Sequence, residues 1–359
     1  MTKRILKLRN VAIIASIAVI TACWGCGSGG GKPAKETASQ SGDGKPAKET
    51  PSKSGGDNSW TKKENVPGGG RLSAVGFSIG NKGYIGAGGD GTGRVVKKDF
   101  WEYDPSSNIW TQKTDFEGGE RESAVGFSIG DKGYIGTGLN YDGSLLKRSE
   151  YKDFWEYDPA SNSWTKKADF PGGVRFDAVG FSIGNKGYFG MGSDNGMIGE
   201  RDKTDFWEYD PVSDSWTKKA DFPGGKRSGV VGFSIGNKGY IGTGVRWDQS
   251  NLSNDYKQDF WEYDPTTNVW TKKADFPGDA RAHTVGFSIG NKGYVGTGSV
   301  ESGFRGLVDI WEYNQASNSW TKKPDIPKGR SSAVSFSIGN KGYVGTGIDG
   351  GNDFWEFTP

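Results

Sequence analysis

The chain has 359 residues, with 45 Lys+Arg against 43 Asp+Glu and a single His, for a net charge of +2. That balance leaves no electrostatic footprint for nucleic acid, and a mean hydropathy of -0.66 excludes a polytopic membrane protein. Hydrophobics at 33% together with 60 glycines exclude wholesale disorder, and the only two cysteines, Cys23 and Cys26, leave the rest of the chain without a disulfide framework or a Cys/His zinc site.

Residues 1–10 carry Lys3, Arg4, Lys7 and Arg9 and no acid, and an apolar run from Val11 to Ile20 follows. This is the layout of a secretory signal, with an apolar stretch too short to span a bilayer. Ile20-Thr21-Ala22-Cys23 closes it and resembles the lipobox of bacterial lipoproteins. The resemblance implies cleavage after residue 22 and a lipid on Cys23, which anchors the chain to a membrane. Cys26 fits poorly, because Cys-Trp-Gly would have to precede it. Trp24 is not the aspartate that, in the enteric sorting rule, retains lipoproteins at the inner membrane; the expected address is the cell envelope, at the outer membrane. Residues 23–58 hold the lipidated cysteine and a Gly/Ser/Lys/Pro-rich linker in which Gly31-Lys32-Pro33-Ala34-Lys35-Glu36-Thr37 recurs at 44–50. Such a segment cannot bury enough apolar surface to offset its ordering entropy and reads as a tether.

From residue 59 the sequence is periodic. Trp60, Trp110, Trp164, Trp216, Trp270 and Trp320 each open a Trp-Thr pair, at spacings of 50, 54, 52, 54 and 50. Trp101, Trp155, Trp207, Trp261, Trp311 and Trp355 form a second series. Periods near 50 residues mean a repeat architecture. Within a unit, Ala74-Val75-Gly76-Phe77-Ser78-Ile79 alternates large and small side chains, the period of a strand buried on both faces. Asn81-Lys82-Gly83 is a tight turn, Gly83–Gly86 a second strand, Phe100-Trp101-Glu102-Tyr103 a third, and Asp104-Pro105 opens the turn into a fourth at Ile109–Lys113. Four antiparallel strands repeated six times predict the blades of a β-propeller. The Trp-anchored unit, the Gly-x-Gly after strand two, the aromatic-x-Tyr-Asp-Pro turn and the Pro-Gly-Gly-x-Arg segment resemble kelch repeats across residues 59–359. They depart from that pattern in having Gly-x-Gly where many kelch units have adjacent glycines. The expected fold is all-β: a six-bladed kelch-type propeller, monomeric, whose ring is closed when the N-terminal strand at Trp60 completes the last blade, which supplies its own first three strands up to Phe357.

Between the Gly-x-Gly and the next Asp, the first five blades hold 10, 14, 12, 14 and 10 residues. All length variation between these units therefore sits in the loop joining strands two and three, as in a binding surface built on a rigid scaffold. The connections from strand four to the next strand one share that face and carry Arg71, Arg121, Arg175, Arg227, Arg281 and Arg330. Two uses are open to them: a ring at one mouth of the central channel that takes an acidic ligand, or blade-to-blade pairs with Asp115, Asp169, Asp221, Asp275 and Asp325, which precede all but the first arginine. Tyr141, Trp247, Tyr256 and Phe304 are aromatics outside the repeat, a composition suited to sugar or protein recognition.

Other chemistry is missing. His283 occupies a slot held by Ser73, Ser123, Asp177, Gly229 and Ser332 in sister blades and reads as structural. Galactose oxidase and its relatives share the propeller but need two His, a Tyr and a cross-linked Cys, so that activity is excluded. Asp90-Gly91, Asp194-Asn195-Gly196 and Asp349-Gly350-Gly351-Asn352-Asp353 lack the ligand spacing of an EF-hand and read as turns. No cofactor or metal is expected. The function expected first is a non-catalytic protein- or glycan-binding module at the cell envelope, acting through the face of the loops between strands two and three. The rival is an enzyme like the periplasmic sialic acid mutarotases, which the chain resembles in architecture only, with Asp177, Glu200 and Glu301 as the acids. The third reading is a structural envelope component.

Overall fold

The computed structural model describes residues 58–92, 95–141, 148–194, 201–248, 253–300 and 305–359. The expected leader 1–22, Cys23 and nearly all of the linker lie outside these. Six four-stranded antiparallel sheets make the six blades of a propeller, with no helix among the described residues. In the first blade, Val75–Ile79 is innermost, followed outwards by Lys82–Gly86, Phe100–Asp104 and Ile109–Lys113.

Alternation along the innermost strand decides how blades stack. Val75, Phe77 and Ile79 are 2%, 4% and 7% exposed, and each such trio points at the small residues of the following blade. Gly83 shows why the small face must be small: a Cβ there would lie 2.4 Å from the Phe336 ring of the preceding blade. Phe77 packs in the same way over Gly133. Each buried Phe contributes roughly 1.5–3 kcal/mol, and the interdigitation repeats around the ring.

The ring closes as the sequence predicts. Ser59–Lys63 pairs antiparallel with Phe354–Thr358, from Ser59 opposite Thr358 to Lys63 opposite Phe354. Three further circles of hydrogen bonds cross every blade boundary. On the outside, the indoles of Trp110, Trp164, Trp216, Trp270 and Trp320 donate to the carbonyls of Glu64, Thr114, Ala168, Ala220 and Ala274, and Trp60 completes the circle on Pro324 at 3.0 Å. Midway, the second glycine of each Gly-x-Gly donates to the carbonyl of the next blade's arginine, from Gly88 on Arg121 round to Gly347 on Arg71, each at 2.8–3.1 Å. Innermost, Ser73, Ser123, Asp177, Gly229, His283 and Ser332 each donate their backbone N–H to the carbonyl of the one before, at 2.8–3.1 Å, and Ser73 donates to Ser332. All six take the left-handed conformation, with φ between 50° and 61°.

The two 14-residue loops form extra hairpins, Leu139–Tyr141 with Arg148–Glu150 in the second blade and Val245–Asp248 with Ser253–Tyr256 in the fourth. They rise on the same face as the innermost circle, on either side of the third blade.

Deleting Ser59–Lys63 removes the pairing that closes the ring, and thermal unfolding is expected to drop by more than about 10 °C. Deleting residues 27–55 is expected to leave it unchanged. Equal melting temperatures for the two deletions would refute ring closure as the stabilising device.

Candidate functional site

The six arginines do not ring the channel. Each is 0–2% exposed, and none lines the channel or its mouth. Arg175 is representative: its two terminal nitrogens reach Asp205 at 2.8 and 3.0 Å, and one also donates to the Met191 carbonyl at 3.0 Å and the other to that of Gly172. The partners are Asp99, Asp153, Asp205, Asp259, Asp309 and Asp353, which stand just before the third strand of the same blade. They are not the blade-to-blade aspartates that spacing suggested; Asp115, Asp169, Asp221, Asp275 and Asp325 pair at the surface with lysines. In the first five blades the neighbouring Trp indole also donates to the carboxylate, as Trp101 does to Asp99 at 2.7 Å. Burial pushes the Asp99, Asp259 and Asp309 carboxyls upwards, but the hydrogen bonds and charge of their arginines outweigh it and hold all three below the usual range. The physical reason the arginines are unavailable to a ligand is that they are buried and their terminal nitrogens are taken up in pinning the strand-one entry to the root of its own loop.

What remains free to vary lies around the innermost circle. Ser73, Ser123, Asp177, His283 and Ser332 line a mouth of about 120 Å³. Beyond it runs a channel of about 280 Å³ lined by the innermost strands, including the hydroxyl-bearing Ser78, Ser128, Ser182, Ser234, Ser288 and Ser337. The position before each residue of the circle is held by Leu72, Glu122, Phe176, Ser228, Ala282 and Ser331, and each is bridged by backbone pairing to the start of the loop between strands two and three. Glu122 is the one acid among these six. Its carboxyl reaches the loop of the first blade, where a Cβ on Gly89 would fall on Oε2. Burial first, and the charges of Asp177 and Asp90 second, push the Glu122 carboxyl up to about 7.

Around Glu122 stand groups from three blades. Tyr141, half-buried on the hairpin of the second blade, has its phenol pushed up by burial and by the charge of Glu122, with Arg148 opposing. Arg148 pairs with Glu150 at 2.9 Å and lies over the Phe176 ring at 4.8 Å. Asp90 caps its own turn by accepting from Thr92 N–H at 2.8 Å and its hydroxyl at 2.7 Å. Trp247 and Tyr256 belong to the other hairpin and are half-buried. The Trp247 backbone N–H donates to Asp202 Oδ2 at 2.9 Å, and Asp202, 7% exposed, also accepts from Ser193, so the third blade's loop is tied to the fourth blade's hairpin. Tyr141, Asp177 and Glu122 are thus brought together, while Trp247 and Tyr256 stand apart on the hairpin two blades on. Glu200, Glu301 and Phe304 lie outside the described residues. Among the described residues no group of three His, Cys, Asp or Glu is placed to hold a metal ion. Sequence reasoning missed Glu122, although the signal was there: one acid in a slot otherwise apolar or small.

Fold and circle define a six-bladed β-propeller with an acid-bearing mouth on its variable face. Comparison with known proteins agrees on the fold. The solved structure of YjhT superposes with a TM-score of 0.67 at 18% identity, covering 82% of this chain and 95% of that one. The N-acetylneuraminate epimerase of Pasteurella multocida (strain Pm70) is 30% identical over 174 residues, 40% of this chain and 45% of that protein. That of Vibrio cholerae serotype O1 (strain ATCC 39315 / El Tor Inaba N16961) is 34% identical over 116 residues, 32% of this chain and 27% of that protein. The aligned part of the chain thus spans less than half the length of these curated relatives. No protein-family model matches the chain.

Two measurements check the electrostatics. The folded Glu122 carboxyl sits above its unfolded value, so the folded state holds the extra proton and stability falls as pH rises from about 4.5 to about 7. Glu122→Gln is therefore expected to raise the melting temperature at pH 8 and leave it nearly unchanged at pH 4; the same difference at both pH values would contradict the raised carboxyl. Arg175→Ala strands Asp205 and is expected to cost about 3–5 kcal/mol in denaturant unfolding, a loss under 1 kcal/mol being incompatible with a buried pair.

Proposed function

We propose that this protein acts on carbohydrate at the mouth of the variable face, interconverting the anomers of a reducing sugar by proton transfer, with Glu122 as acid and base. The observation that carries this is the Glu122 carboxyl, set against Gly89 of the neighbouring loop and pushed up to about 7 by burial and by the charges of Asp177 and Asp90, next to the channel mouth that Asp177 lines. Ring opening of a cyclic hemiacetal takes a proton from the anomeric hydroxyl and gives one to the ring oxygen; reclosure reverses the transfers and sets the opposite configuration. A carboxyl titrating near neutral pH serves in either form without metal or redox cofactor. Asp177, expected as an acid from sequence, stands close enough to hold Glu122 in this range. Tyr141 supplies an aromatic edge beside the acid, and Trp247 and Tyr256 a second apolar wall for the sugar's faces. The names of the relatives, N-acetylneuraminate epimerases, support a sugar as the ligand class. The same reading places the propeller at the cell envelope, anchored by a lipid on Cys23 and held off the membrane by the linker to residue 58.

The hairpin aromatics also favour a second reading, recognition of a glycan or protein without turnover. One experiment separates the two. Anomer exchange is followed by NMR magnetisation transfer with the full-length chain and a panel of neutral, amino, uronic and sialic sugars. The expected result is acceleration for at least one sugar, reduced by about 10²–10⁴ in Glu122→Gln. Saturable binding without acceleration would leave recognition alone. Acceleration undiminished in Glu122→Gln would remove that residue from the chemistry.

A further inference from the structure

The channel mouth has a chemistry of its own, separate from Glu122. Its polar lining is one carboxylate, Asp177, one imidazole, His283, and the hydroxyls of Ser73, Ser123, Ser332 and Thr284; Thr284, with Ala74, Ala124, Ala178, Val230 and Ala333, also lines the start of the channel. No lysine or arginine lines it. Backbone donors are missing too: the six N–H groups of the circle all point sideways into the preceding blade's carbonyl. The nearest arginines of the repeat have their terminal nitrogens committed to their own aspartates. An anion entering the mouth would meet a carboxylate with no fixed positive group to answer it.

The imidazole is held in place. It lies flat over Gly229, where a Cβ would fall 2.9 Å from Cε1 and 3.0 Å from Nδ1 of His283. Gly229 is the single glycine of the circle, and it separates His283 from Asp177. A side chain at that position would displace the ring; glycine leaves the space the imidazole occupies, and the next position of the circle on the far side of Gly229 is Asp177. The mouth therefore presents acceptors in a small circle: carboxylate oxygens, hydroxyl oxygens and, in the neutral imidazole, one ring nitrogen. The ring of acceptors encloses about 120 Å³, well below the roughly 300–1,000 Å³ that enclose a whole small ligand, so what it holds is a single substituent of the ligand.

We infer that the mouth is an ammonium subsite, in which Asp177 and His283 receive the primary ammonium group of an unacetylated amino sugar. This rests on the carbohydrate reading and adds to it the ligand's charge, which is opposite to that of a sialic or uronic acid. An ammonium brings three donors to a site made of acceptors and neutralises Asp177 without desolvating it unpaired.

His283 is the only histidine in the chain, so its Cε1–H proton resonance is a single-residue reporter in the untagged full-length protein. At pH 7, glucosamine is expected to shift that resonance saturably and to bind roughly tenfold tighter than N-acetylglucosamine, glucose or N-acetylneuraminate. Asp177→Asn is expected to abolish the preference; asparagine tolerates the left-handed backbone of residue 177, and an unchanged melting temperature confirms that the fold survives. Equal or tighter binding of the acetylated, neutral or acidic sugars, or a preference that persists in Asp177→Asn, overturns the subsite. Methylammonium serves as the bare probe. If it shifts His283 in the wild type alone while calorimetry detects no sugar, the subsite stands and the carbohydrate reading falls; if sugars bind without regard to the amine, the reverse holds.

Discussion

An arginine with its guanidinium locked onto a carboxylate of the same blade, and onto the backbone between them, pins one end of every blade. Arg175 shows what the pair does. It ties the entry of the innermost strand, the left-handed Met191 between two glycines, and the aspartate that begins the third strand into one rigid knot. A loop of any length can leave and return at that knot without disturbing the sheet. The chain uses this freedom: the loops grow from ten residues to fourteen, and the longest fold into hairpins, while the blades beneath keep one register. The rigid knot is also why the variable face holds a defined geometry around Glu122 and Asp177, which stand one and two residues after arginines so fixed, Arg121 and Arg175.

The architecture was open to reading because its causes are local and repeated. Large-small alternation at Val75–Ile79, the Asn-Lys-Gly turn and the Asp-Pro turn each dictate a strand or its end within a few residues, and six copies state the result six times. Ring closure followed from counting strands. The arginine partners were not legible, for a reason of distance. Arg71 lies 28 residues from Asp99 and Arg121 lies 32 from Asp153, with the variable loop in between, so no fixed spacing marks the pair. Asp115 and its equivalents stand at a short spacing, six residues before the arginine or five in the last unit, and so mimic partners in the sequence. Glu122 was missed because a single acid in a chain that is one quarter charged gains meaning only from its burial and from Asp177, 55 residues away in sequence and adjacent in space. Asp177 and Tyr141 were visible as departures from the repeat, and they are where the structure gathers its acid.

Symmetry and its breakage divide the molecule between two tasks. Residues that repeat in all six blades, the Trp indoles, the arginine knots and the interlocked Phe and Gly, hold the ring. Residues that break the repeat in one blade only, Glu122, Asp177, His283 and Gly229, cluster at one mouth. The breaks come in compensating sets: His283 is accommodated by the glycine beside it, and Glu122 by Gly89 in the neighbouring loop. Such paired exceptions are how a six-fold scaffold acquires a site with a single orientation.

The latch formed by Ser59–Lys63 and Phe354–Thr358 also sets an order in time. The first propeller strand to leave the ribosome is the last to find its partner, because that partner, Phe354–Thr358, is the last of the propeller strands to be made. Until then five blades can form from contiguous sequence, but the sixth lacks its outermost strand and the ring has an open seam. The ring therefore closes only after the sequence of every blade has been made, and the earliest strand waits for the latest.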